Sequence, residues 1–596
     1  MVIRALAIAL IGLAVVPAAA SAHARLEGTS PERGATVAGE PAQVVFRFDE
    51  PVEASFGAVR VFDTRGARVD DGRLVRPGGD QRVAGTALRR GLADGTYTAT
   101  YRVISADGHP ISGGFTFSIG HAGAAPSKDV ADLVAAGNAG KVTGVAFGAT
   151  KALGYLAIAL VLGGLGFLAL VWRPALAQAA GAGEDWARAA GAFGARALTL
   201  VSTGLALGVL TSAVGLVLQG ATAAGTSAWS AMDPSVVREV ASTHAGTAWA
   251  LRLGAWAVLA VVVGVVAGLR AMPAPRTAPL GATTPAVDRP PSKAVLAALG
   301  LPALFLAVTP ALGGHASTQD PTWALFPLDV AHVLAMSAWL GGLVVVLVCV
   351  PAATRALAPA DRSRLLAAVL VRFSAVALAA VAVLAVTGAT QAILEVRHID
   401  ALTGSAFGRS VLIKSGLLLA LIGFGAVNRR RVVPALRRLA AAAASPGGPG
   451  RLLRLTLRSE VALVLVVLGV TGALTGYAPP TSADEGPQSV SKRMGPLDLE
   501  LTVDPAAAGV NEMHIYLFRA RDGTPFTGTK ELTVRVSQPG KGIGPIDAHL
   551  RSGGPGHYLA DALTLSPGGK WQIEVTDRVS EFDQYSTKAT IDVKEH

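Results

Sequence analysis

Three side chains of the kinds that bind metal ions recur along one apolar stretch, Pro327 to Leu347. The stretch is long enough for a membrane helix, which needs about 20 apolar residues. Asp329, His332 and Met336 follow one another at spacings of three and four, which places them on one helical face. Polar groups inside a membrane mark functional sites, and a thioether beside an imidazole favours Cu(I). The alternative is a packing role, with His332 hydrogen-bonded to Asp329.

A second set of ligands is predicted near the N-terminus. Residues 1–22 have the basic start, short apolar run and Ala-Ser-Ala ending of a secretory signal peptide; a retained membrane span is the alternative. Cleavage would give His23 a free amine, so that its amine and imidazole could chelate one metal ion. Asp107 and His109 lie two residues apart, so both point to one face of an extended strand. Together these groups suit tetragonal Cu(II), whereas the alternative for the second pair is a surface turn.

Composition indicates a multi-pass membrane protein with soluble parts. Of the 596 residues, 51% are hydrophobic and only 16% are charged, compared with about 25% charged in soluble domains. A single cysteine, Cys349, excludes intramolecular disulfides. The net charge of +11 is concentrated in loops between apolar runs, which indicates membrane topology and not nucleic-acid binding.

Changes in pattern divide the chain into segments. Residues 23–120 and 496–596 consist of β-rich runs separated by turn residues, which predicts an all-β domain at each end. Residues 148–478 are predicted to form an α-helical membrane domain, flanked by linkers at 121–147 and 479–495. Its eight predicted spans are 148–172, 197–219, 247–269, 294–312, 325–350, 371–394, 409–427 and 459–478.

The distribution of arginine and lysine predicts the orientation of the chain. Basic residues cluster after odd-numbered spans, most densely from Arg429 to Arg458, so these loops are expected to be cytoplasmic. Both chain ends then lie on the extracytoplasmic side of the plasma membrane. All eleven histidines fall on the outer side or in the outer half of a span under this topology. Among them, His315 precedes the fifth span and is the candidate for passing a metal ion to it.

Four stretches of the N-terminal segment form a recognisable set, namely His23-Ala-Arg-Leu, TSPERGA (29–35), VVFRFDEPVEASFGAVRVFD (44–63) and SADGHPISGGFTFSI (105–119). Through them the segment resembles the periplasmic copper-binding protein CopC. It implies a cupredoxin-like β-barrel that holds Cu(II) through the terminal amine and imidazole of His23 with Asp107 and His109. Some relatives also carry a methionine-rich Cu(I) loop, but residues 23–120 contain no methionine.

The membrane segment contains five distinctive motifs, which are GHA (314–316), DVAHVLAMSAWLGGL (329–343), VRFSAVAL (371–378), TGATQA (387–392) and FGRSVLIKSGLLLALIGFGAVNRRR (407–431). Through them the segment resembles CopD, an inner-membrane protein of copper-resistance systems. The resemblance implies copper movement across the membrane, usually described as uptake. Lys414, within the seventh predicted span, is expected to snorkel or to pair with an acid.

The C-terminal segment resembles the YtkA-like immunoglobulin-type β-sandwich by its pattern of strand-like runs. Met513, His514 and His557 could contact copper there. The alternative is that His514 belongs to the polar face of a strand, because polar and apolar residues alternate around it.

The predicted function is a copper-binding membrane protein, not an enzyme, that captures Cu(II) outside and moves copper across the membrane. One alternative is a copper sensor or copper-sequestering protein without transport. Another is a copper-dependent oxidative enzyme with a terminal histidine brace. The expected partners are copper ions and the lipid bilayer, with other copper-handling proteins outside the membrane as further candidates and no nucleic acid.

Overall fold

A computed structural model describes most of the chain as two compact units, one helical and one built of β-strands. The predicted copper ligands His23, Asp107 and His109 lie outside the described residues, as does the predicted signal peptide. The described residues are 24, 26–32, 35–54, 57–105, 110–120, 140–181, 183–271, 293–318, 321–396, 399–476, 488–504, 506–521 and 524–593.

The N-terminal domain consists of two four-stranded sheets, with strand orders β1-β3-β6-β5 and β2-β8-β7-β4. Alternation in the sequence explains the packing, since Val44, Phe46 and Phe48 of one strand are all buried while the residues between them are not. The ring of Phe46 contacts that of Phe115 in the other sheet, at 5.3 Å between centroids. The strands are β1 Leu26–Ser30, β2 Thr36–Val37, β3 Gln43–Phe48, β4 Val59–Phe62, β5 Asp70–Val75, β6 Val83–Leu88, β7 Gly95–Ile104 and β8 Pro110–Ile119.

Seven helical segments in the described chain are long and apolar enough to cross a membrane, by length and composition. The predicted fourth span is also helical, but its apolar part, Ala297–Leu312, is shorter. The α-helices are α1 Gly140–Phe167, α2 Arg173–Ala179, α3 Glu184–Ala224, α4 Pro234–Ala241, α5 His244–Ala271, α6 Lys293–Leu312, α7 Thr322–Val348, α8 Val350–Arg355, α9 Pro359–Val396, α10 Ile399–Gly404, α11 Ala406–Val427, α12 Val433–Ala441 and α13 Gly447–Leu474.

Helices α1 and α7 approach each other closely at a pair of glycines. A Cβ atom on Gly341 would overlap the carbonyl oxygen of Ala159, and one on Gly163 would overlap that of Ser337. Small residues at a crossing point allow backbones to come into contact, as in other membrane helix pairs. The recurrence of Ala331, Ala335, Ala338 and Gly342 at helical spacing predicts that a neighbouring helix approaches this face closely. The structure puts the closest approach of α1 at Gly341, and Gly342 faces the ring of Phe373.

The C-terminal domain is a sandwich of two sheets, with strand orders β14-β15-β11-β10-β9 and β13-β12-β16-β17. Strand β9 lies within the predicted linker 479–495; its sequence is polar because the strand forms a sheet edge. The strands are β9 Gln488–Met494, β10 Leu497–Asp504, β11 Gly509–Arg519, β12 Glu531–Gln538, β13 Ile543–Asp547, β14 Arg551–Gly554, β15 His557–Leu565, β16 Gly569–Arg578 and β17 Gln584–Val593.

Candidate metal sites

The His332 imidazole faces helix α9. Its Nδ1 lies 2.7 Å from the hydroxyl oxygen of Thr387. The Thr387 hydroxyl also lies 2.8 Å from the carbonyl oxygen of Val383 and can donate its proton there. In that arrangement it accepts the proton of His332 Nδ1–H, and the lone pair of the neutral imidazole is on Nε2. Metal-ligating histidines have this arrangement, with the second nitrogen fixed by a hydrogen bond.

Asp329 lies one turn before His332 and belongs to a polar cluster contributed by several helices. Its carboxylate accepts a hydrogen bond from the Gln391 amide of α9, at 3.4 Å. It also interacts electrostatically with Tyr155 of α1 and with Lys414 of α11. Lys414 interacts electrostatically with Glu395 as well. The packing alternative was wrong about the partner of His332, because the hydrogen bond goes to Thr387 and not to Asp329.

Met336 follows one turn after His332. It is half-buried and packs against two hydrophobic clusters of the helical unit. His315 begins the short 3-10 turn His315–Ser317, which contacts α7. Within the described part of the chain, no three carboxylate, imidazole or thiol groups converge as a ready-made metal cage. The structure thus places Asp329, His332 and Met336 as successive positions along α7.

Thr387 belongs to the site, although the sequence does not single it out as a candidate metal ligand. It lies in the TGATQA motif together with Gln391, so the motif contained the signal. Threonine is common on membrane helices, where its hydroxyl usually bonds its own helix. Only the packing of α9 on α7 brings Thr387 against an imidazole.

Residues next to the predicted ligands His23 and Asp107 are joined by hydrogen bonds. The backbone N–H of Ala24, the residue after His23, donates to the hydroxyl of Ser105, at 3.2 Å. The Ser105 hydroxyl donates in turn to a carboxylate oxygen of Glu50, at 2.6 Å. Ser105 directly follows β7 and stands two residues before Asp107. The chain next to His23 is therefore tied to the strand end that leads to Asp107.

The C-terminal domain buries two histidines on one face of a sheet. His514 and His557 approach within 3.2 Å, between Nδ1 and Nε2. Burial, with a smaller effect of His514, lowers the pKa of His557 to about 3. Polar residues do alternate with the core residues Met513 and Ile515, as the sequence predicts, but His514 is buried instead of solvated.

Two family models match the chain. The CopC domain model matches residues 26–120, and the Copper resistance protein D model matches residues 367–474. The chain therefore combines a CopC domain with a CopD domain, as the sequence predicts. The CopD domain and the long apolar helices make it a multi-pass membrane protein. The CopD match includes Thr387, Gln391 and Lys414, but α7 lies before it.

One relative resembles the chain over nearly its whole length. Copper transport protein CutJ of Bacillus subtilis is 26% identical over 598 residues, covering 98% of each chain. Copper resistance protein C of Pseudomonas syringae pv. tomato is 29% identical over 18% of this chain and 86% of its own. The crystal structure of CopC from Methylosinus trichosporium OB3b is 28% identical and covers 18% of this chain and 98% of that one, with a TM-score of 0.15. These names describe copper transport and resistance, not an enzymatic activity.

Proposed function

We propose that this protein captures Cu(II) outside the membrane and moves copper through the helical domain, in the direction of uptake. The observation that carries the proposal is the contact of His332 with Thr387. The hydroxyl of Thr387 on α9 lies 2.7 Å from Nδ1 of His332 on α7, so one ring nitrogen is held and Nε2 is the nitrogen assigned to a metal ion. The copper transport and resistance functions named for the relatives agree with this assignment.

The capture site is assigned to the CopC domain. His23 would supply its terminal amine and imidazole after signal-peptide cleavage, and Asp107 and His109 would complete a Cu(II) site. The hydrogen bond between Ala24 and Ser105 supports this arrangement, because it joins the two chain segments that carry the ligands. Nitrogen and oxygen donors in a tetragonal set suit Cu(II).

The membrane path is assigned to one face of α7. Met336 lies seven positions after Asp329, with His332 between them, which is about 10 Å along the helix at 1.5 Å per residue. The donors change from carboxylate oxygen through imidazole to thioether, so an ion that leaves water meets progressively softer ligands. His315 would pass copper to this helix from the preceding turn. Copper is the cargo of this path.

The orientation follows from the charges in the loops. The dense basic run between Arg429 and Arg458 precedes α13's apolar part and is placed in the cytoplasm. With eight spans, counting α6, both β-domains lie on the extracytoplasmic side of the plasma membrane. Copper captured by the CopC domain then starts on the side where His315 and Asp329 are placed.

Cellular copper content tests the proposal directly. Cells that express the chain at matched levels should accumulate more copper at fixed external copper than cells without it. The variant His332→Ala should return the content to the background value, while the exposed residue His549→Ala leaves it unchanged. Equal copper with and without the protein would overturn transport and favour sensing or sequestration. Lower copper would reverse the direction.

A further inference from the structure

The C-terminal domain contains a buried pair of histidines that the proposed transport path does not use. His514 lies on β11 and His557 begins β15, and their exposed fractions are 8% and 3%. Antiparallel pairing sets His557 opposite Tyr516, two residues from His514. The two imidazoles are therefore diagonal neighbours on one face of the five-stranded sheet.

The two rings meet edge to edge. Nδ1 of His514 lies 3.2 Å from Nε2 of His557, the ring centroids are 5.4 Å apart, and the planes differ by 10°. The centroid separation is close to the largest that a 3.2 Å contact between edge nitrogens allows. The rings are thus nearly coplanar, and their in-plane nitrogen orbitals point at each other. The ring of Tyr516 stacks on His557 at 4.3 Å and 8°, which holds this plane.

Each outer nitrogen has an acceptor beside it. Nε2 of His514 lies 3.4 Å from a carboxylate oxygen of Glu512 that has no hydrogen-bond partner among the described residues. His557 is hydrogen-bonded to the backbone of Gly553, and its Nδ1 is the nitrogen on that side. Each neutral imidazole has one N–H, so both inner nitrogens present lone pairs in the tautomers whose protons lie on these outer nitrogens.

We propose that His514 and His557 form a two-nitrogen Cu(I) site in the C-terminal domain, separate from the CopC domain and from the membrane path. The two inner nitrogens face each other in one plane, and with the protons on the outer nitrogens both lone pairs would bind a cation placed between them. Metal-ligating histidines usually donate their second N–H to a carboxylate or a carbonyl, and the outer nitrogens of both residues are placed to do so.

The donor number selects the metal ion. Among the described residues no third carboxylate, imidazole or thiol joins the pair. Cu(I), with a filled d shell, accepts linear coordination by two nitrogens, whereas Cu(II) and zinc take more ligands. An imidazole–metal bond is about 2.0 Å, so the two nitrogens need to separate from 3.2 Å to about 4 Å. A small rotation of the His557 side chain within the plane set by Tyr516 would supply this movement.

Cu(I) titration of the purified full-length protein tests the site. In detergent, without oxygen and with a reductant, Cu(I) is titrated against a chromophoric chelator. The variants His514→Ala and His557→Ala should each bind one Cu(I) fewer per chain than wild type. The exposed His549→Ala in the same domain should match wild type. If all three variants bind the same number of Cu(I) ions as wild type, the proposal is wrong.

Hydrogen exchange on the wild-type protein separates binding from folding. Cu(I) should slow amide exchange in β11 and β15 and leave β16, in the other sheet, unchanged. Glu512→Leu should weaken Cu(I) binding by about 10- to 100-fold, because it removes the group that orients His514, and Glu512→Gln should restore most of the affinity. No protection of β11 and β15 by Cu(I) would show that a shared proton holds the pair, which overturns the site. Since the readout is binding and not flux, this result is independent of the transport assay.

Discussion

Replacing Thr387 by valine tests the role of the second nitrogen of His332. The hydroxyl of Thr387 lies 2.7 Å from Nδ1 of His332, and we assign it as the acceptor of Nδ1–H. Valine has nearly the same shape but no acceptor, so the N–H would be left unsatisfied in a buried place, at a cost of about 1–3 kcal/mol. The imidazole can relieve this cost by rotating or by moving its proton to Nε2. Either change removes the lone pair that we assign to copper.

The expected result is a loss of copper movement without a loss of fold. Substitutions of groups that orient metal ligands typically cost 10- to 100-fold, so uptake of copper into cells or vesicles should fall by about that factor in Thr387→Val. Thr387→Ser keeps the acceptor and should retain most of the flux. The matched control is Thr390→Val, because the Thr390 hydroxyl on the same helix bonds only the carbonyl of Val386 among the contacts described. Equal flux in Thr387→Val and Thr390→Val, at equal expression, would refute the reasoning.

Three further predictions concern other parts of the chain. Adding one glycine before His23 should move the terminal amine out of chelating position and weaken Cu(II) binding strongly in a competition titration; unchanged affinity would rule out the terminal chelate. Gly341→Val should separate α1 from α7 and reduce the amount of folded protein recovered in detergent, whereas Gly166→Val, at an open position of α1, should not; similar recovery of the two variants would contradict the close contact. Burial raises the pKa of Asp577 from 3.8 to about 6. Between pH 3.8 and about 6 the native state therefore keeps a proton on Asp577 that the unfolded state has released. The free energy of unfolding falls as the pH rises through this range. Asp577→Asn should therefore stabilise the C-terminal domain by on the order of 2 kcal/mol at pH 7 and much less at pH 4, measured by amide exchange in β12 and β16; the same gain at both pH values would exclude titration of Asp577 as its cause.

Much of the architecture was readable from local patterns. Alternation in segments such as Gln43–Phe48 predicts sheet strands because one face of a sheet must be buried, and the structure confirms them. Long apolar runs predict membrane helices for the same reason, as α7 shows. Strand β9 escaped prediction because an edge strand needs no apolar alternation. The predicted ends of the helices also differ from the observed ones. Helix α1, for example, begins at Gly140, whereas the sequence predicts a start at 148.

The spacing of Asp329, His332 and Met336 was enough to place the three residues on one helical face, because side chains three and four residues apart on a helix share a side. Their partners come from distant parts of the sequence. Thr387 and Lys414 reach this face only through the packing of α9 and α11, and His557 reaches His514 only through the register of β15 on β11. Side-chain types and local periodicity are properties of short segments, so the sequence shows them directly. Which nitrogen of a histidine carries its proton depends on the group opposite, and only the tertiary structure selects that group.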